Sequence, residues 1–112
     1  MLEALYGVEF ASNMNDGGYG VVVLETGKIL GGDSSFVFVG TYEVNNSVMN
    51  AQVKVTNDRE MLPSIFGDID EFTLMLSGSP DPEHQEFILQ GHMLENPEMK
   101  IGIKLTRRAE LP

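Results

Sequence analysis

Apolar and polar residues alternate at every second position along most of this chain, a period that confines it to half-buried antiparallel strands. Near the C-terminus, Met99, Ile101, Ile103 and Leu105 alternate with Lys100, Gly102, Lys104 and Thr106. Within residues 47–56, Met49, Ala51, Val53 and Val55 alternate with Asn50, Gln52, Lys54 and Thr56. Phe72, Leu74 and Leu76 repeat the pattern, as do Phe87, Leu89, Gly91 and Met93. Tyr6, Val8 and Phe10 share a face opposite Gly7, Glu9 and Ala11, and residues 19–24 carry the β-branched run Val21-Val22-Val23. Phe36, Phe38 and Tyr42 take one side of a further strand, which sends Val37 and Val39 to the other.

Turn chemistry separates these runs: residues 13–18, Thr26-Gly27, residues 31–34, Asn45-Asn46, residues 78–83 and Asn96-Pro97 supply left-handed or Asx-turn conformations. With the short piece at 28–30, the chain reads as eight strands. Only residues 57–70 exceed a hairpin turn, and 61–66 within them suit one short helix or a lid. Eight hairpin-linked strands form either a sandwich or an up-and-down barrel, and closure into a barrel removes both exposed edges. The expected fold is therefore all-β, one domain spanning residues 1–112, an eight-stranded antiparallel up-and-down barrel of lipocalin-like form.

The interior of such a barrel is filled by side chains or holds one small ligand. Phe10, Phe36, Phe38, Phe72, Leu74, Phe87, Leu89, Ile101 and Ile103 are the residues expected to fill or line it. Val37, Val39 and Ile88 fall on the outside, and their convergence on one wall would mark a homodimer face.

Charge narrows the partners. Seven Lys and Arg against seventeen Asp and Glu give a net charge of -10, which repels a phosphate backbone and attracts a basic protein surface. Nucleic acid is not an expected partner. The chain has no cysteine, hence no disulfide, thiol nucleophile or thiolate metal site. The N-terminal MLEALYGVEF carries an acid where a signal peptide is basic, and no apolar run approaches the ~20 residues of a membrane helix, so a cytoplasmic location is expected.

No motif points to catalysis. In Gly31-Gly32-Asp33 the glycines can adopt positive φ in a turn, and the carboxylate can close an Asx turn on the amide of Ser34 or Ser35. As a phosphate cradle the corner has the wrong sign and lacks the lysine and helix of a P-loop. Gly17-Gly18-Tyr19-Gly20 precedes a strand, whereas a dinucleotide fingerprint opens a helix. Asp68, Asp70 and Glu71 lack the spacing and central glycine of a calcium loop and read instead as a solvated loop, which is also the candidate acidic surface for a protein partner. His84 sits in a proline-rich turn, and His92 alternates away from Phe87 and Leu89. No cofactor is expected.

Beyond this pattern, the succession Leu5-Tyr6-Gly7-Val8-Glu9-Phe10, Gly20-Val21-Val22-Val23-Leu24, Gly27-Lys28-Ile29-Leu30-Gly31-Gly32-Asp33-Ser34 and Phe38-Val39-Gly40-Thr41-Tyr42 resembles the GrlR family, negative regulators associated with type III secretion. The resemblance is strongest over residues 5–56, with Gly31, Gly32 and Asp33 as its marking turn. It implies a dimeric lipocalin-like barrel whose cavity accommodates a lipid-like molecule. In the regulator that typifies the family, a Glu-Asp-Glu-Asp surface motif engages a transcriptional activator and holds it off DNA. The matching region here, Tyr42-Glu43-Val44-Asn45-Asn46-Ser47, has a single acid, so that motif is absent.

Two functional expectations follow. One is a non-enzymatic regulator that binds a protein partner, such as a DNA-binding activator with a basic surface. The other is a carrier or sensor of a small apolar ligand held in the barrel. Lys54, Lys100 and Lys104 all alternate outward, which disfavours a charged fatty acid in that interior.

Overall fold

A computed structural model describes residues 2–13, 17–57, 71–81, 83 and 85–112. Eight strands follow one another: β1 (Ala4–Ser12), β2 (Gly17–Glu25), β3 (Lys28–Gly32), β4 (Phe36–Asn45), β5 (Val48–Asn57), β6 (Glu71–Gly78), β7 (Glu86–Met93) and β8 (Lys100–Ala109). Each pairs antiparallel with its sequence neighbour, and β8 returns to β1 to close the barrel. This is the up-and-down barrel that the alternation implies. The helix expected within 57–70 lies outside the described residues, apart from Asn57, which ends β5.

The inward positions are the apolar halves of the alternating runs. Along β5, Met49, Ala51, Val53 and Val55 are buried while Asn50, Gln52 and Lys54 are exposed. A membrane barrel would alternate the other way, with its apolar side outward. No helix among the described residues is long and apolar enough to cross a membrane.

Two hairpins turn on two-residue loops whose central residues both have positive φ: Thr26 (53°) with Gly27 (77°), and Asn46 (53°) with Ser47 (68°). Such loops match the right-handed twist of the flanking strands. The second falls one residue later than Asn45-Asn46, because Asn45 still pairs with Val48.

Gly31 and Gly32 depart from expectation. They belong to β3 and neither takes positive φ; what excludes a side chain is close packing. A Cβ on Gly31 would collide with the carbonyl oxygen of Val21, and one on Gly32 would lie 2.7 Å from the carbonyl oxygen of Phe36.

The barrel is filled at the end where the 26–27 and 46–47 turns lie. Tyr6, Leu24 and Met49 are fully buried there. The Tyr6 hydroxyl donates to the carbonyl of Leu2 at 2.6 Å, and its ring meets Phe87 edge-on. The shortest seam is between β6 and β7, paired only from Leu74↔Met93 to Ser77↔Gln90. Just beyond it, the amide of Thr73 donates to the Glu95 carboxylate at 3.0 Å, a side chain standing in for a ladder carbonyl and holding that carboxyl below its ordinary range.

Candidate functional site

Toward the opposite end the inward side chains stop short of meeting. They leave a cavity of about 250 Å³. Of the residues assigned to the interior from sequence, Phe10, Phe36, Phe38, Phe72, Leu74, Leu89, Ile101 and Ile103 line it. Phe87 does not. Its ring turns onto Tyr6, with centroids 5.6 Å apart, and joins the filled end. Val8, Val22, Leu24, Ile29, Met49, Val53, Val55, Leu76 and Leu105 complete the apolar wall.

Phe10 and Phe38 pack edge to face near the mouth, with centroids 6.0 Å apart. Beside them the polar rim is built by the connection from β3 to β4. Asp33 Oδ1 accepts the amides of Ser35 (2.9 Å) and Phe36 (2.8 Å), and the Asp33 amide donates to the Phe36 carbonyl at 3.0 Å. The Asx turn forms on Ser35, one of the two expected amides, and takes in Phe36 as well. Asp33, Ser34 and Ser35 all line the cavity, so the corner that reads as a structural marker is also the rim of the interior. A sequence signal for this existed: Asp33 follows directly on β3 and leads into inward-facing Phe36.

The lining, among the described residues, contains one carboxylate and no basic side chain. Hydrophobic burial and a hydrogen bond to the rim are the interactions such a space offers a guest. No group of three His, Asp or Glu capable of holding a metal ion occurs among the described residues.

The outer surface is arranged differently from the expectation. Val37 and Val39 stand on β4 while Ile88 stands on β7, three strands away around the wall, so the three do not converge. Alternation puts all three outside without fixing their direction around the barrel. Val39 is instead paired with Leu30, which is paired with Val23, while Val37 and Val21 flank Gly32. Val21, Leu30, Val37 and Val39 are exposed and form an apolar strip across β2, β3 and β4.

Of the acidic trio, Asp68 and Asp70 lie outside the described residues. Glu71 opens β6 and accepts an ion pair from Lys54 Nζ at 2.7 Å, a contact that holds the lysine above its ordinary pKa. Its charge is thus partly neutralised by the neighbouring strand.

Fold and site together define a closed up-and-down β-barrel with an apolar internal cavity and an acidic, hydroxyl-bearing rim. Comparison of the chain with protein-family models and with curated proteins finds no match.

Proposed function

We propose that this chain is a non-enzymatic binding protein whose barrel interior takes one small, mainly apolar ligand. The supporting observation is the cavity of about 250 Å³ with an almost wholly apolar wall. Apolar cavities of about 150 Å³ already bind benzene, and ligand pockets commonly begin near 300 Å³, so this one suits a compact guest. Native mass spectrometry of the purified protein, before and after solvent extraction, tests the reading. A small molecule lost on extraction, or a neutral probe taken up afterwards, supports it; an interior that takes up none of a series of alcohols and aromatics overturns it.

A second reading, protein binding, draws on the outer apolar strip and on the GrlR resemblance, under which the chain is a dimeric regulator that restrains a transcriptional activator. A second copy of the chain is the occupant we assign to the strip. At a net charge of -10, two copies approach each other at least cost where Val21, Leu30, Val37 and Val39 put no carboxylate between them. The activator would be held by the remaining acidic surface, an attraction that added salt screens. Affinity capture at low and high salt tests it: a DNA-binding partner released by salt supports this reading, and one indifferent to salt removes its electrostatic basis.

A further inference from the structure

The rim carries two polar groups that the barrel itself does not use up. Asp33 places both of its accepted amides on Oδ1, and Oδ2 has no partner among the described residues. Ser35 is only 6% exposed, lines the same cavity, and its hydroxyl makes no hydrogen bond among the described residues. Buried hydroxyls are nearly always paired, so an unpaired one beside a cavity points to a guest or to water as its partner.

We propose that Asp33 and Ser35 form a polar anchor that selects an uncharged ligand with a hydrogen-bond-donating head group, such as an alcohol or primary amide, and excludes carboxylates. This rests on the interior-ligand reading and specifies its chemistry. The head group donates to Asp33 Oδ2 and exchanges a second hydrogen bond with the Ser35 hydroxyl, while the tail lies between Phe10, Phe38, Phe72 and Leu89. A carboxylate placed there would face the Asp33 charge with no cation in the described lining to offset it. Scaled from benzene in a cavity of about 150 Å³, the guest has about ten heavy atoms.

The test uses 1-nonanol, nonanoate and nonane as probes of the full chain at neutral pH, by calorimetry and by amide chemical shifts. The expected result is that 1-nonanol binds at least about tenfold more tightly than nonanoate, a modest fraction of what like charges at contact produce. The amides of Ser35 and Phe36 shift on binding. Asp33→Asn should close most of that gap by letting nonanoate in, and Ser35→Ala should weaken 1-nonanol about threefold to tenfold. Nonanoate binding as tightly as 1-nonanol, or an unchanged gap in Asp33→Asn, overturns the anchor while leaving the interior site intact. If Asp33→Asn does not fold, Ser35→Ala and the wild-type gap decide the matter alone. Failure of all three probes to bind overturns the interior-ligand reading and the anchor together.

Discussion

Tyr6 meets Phe87 edge-on across the filled end of the barrel, with ring centroids 5.6 Å apart and planes at 80°. The pair joins β1 to β7, which are not ladder neighbours, so it braces the wall through the interior. Phe87→Ala should cost about 3–5 kcal/mol, the usual loss for a buried phenylalanine. Tyr6→Phe keeps the ring contact and loses the hydrogen bond to Leu2, at about 1 kcal/mol. Urea denaturation of both variants checks the ranking.

The same tyrosine sets a pH limit. Burial pushes its phenol above the ordinary value, against the opposing pull of Arg107, and burial likewise raises Tyr42. A phenol with a raised folded-state pKa contributes stability that is fully present below about pH 10 and is lost as pH rises through the folded value. The protein should therefore destabilise above about pH 10, and Tyr6→Phe should flatten that decline. Thermal melts from pH 8 to 11 would show it; identical alkaline slopes in the two proteins would exclude Tyr6 as the cause.

Ser47 sits at φ 68°, a conformation costly for a residue with a Cβ. Ser47→Gly creates Asn-Gly, the favoured pair for this two-residue turn, and should stabilise by about 0.5–1 kcal/mol. The melting temperature should rise by a few degrees. A matching Gly27→Ala change, at φ 77°, should move it the other way.

Val53 faces the cavity with 7% exposure. Val53→Phe should fill part of the 250 Å³ and abolish uptake of a neutral probe. Stability should change by less than about 2 kcal/mol, since the added ring has space to occupy. Retained probe binding in a folded variant would place the ligand elsewhere.

Leu30 lies centrally in the outer strip and Ile88 stands three strands from β4. Under the two-copy reading, Leu30→Lys should shift sedimentation toward monomer, whereas Ile88→Lys should leave it unchanged. Equal effects of the two substitutions would argue against the strip as a specific face.

What the sequence made legible is the inside-outside sense of each residue. Phe72, Leu74, Leu89 and Ile101 read as interior because alternation with period two carries that one bit of information, and the pleat enforces it. Alternation is silent on two other coordinates. Height along the barrel axis decides that Phe87 packs on Tyr6 at the filled end while Leu89 lines the cavity. Direction around the axis decides that Ile88 parts from Val37 and Val39. Asp33 was readable as an Asx turn from its own neighbours, but its place on the cavity rim is a property of the eight strands assembled together.

The pairing of β1 with β8 bears on how the chain reaches its folded form. Phe10 finds its ladder partner Ile103 only after all the intervening strands have been made. Until then both outer strands present unpaired backbone, and the interior faces water along an open side. Loop-closure entropy makes so distant a contact slow to form, so the barrel should close late, as one concerted event between its first and last strands. A truncation that removes β8 would leave a sticky curved sheet, prone to recruit another chain's strand in place of its own.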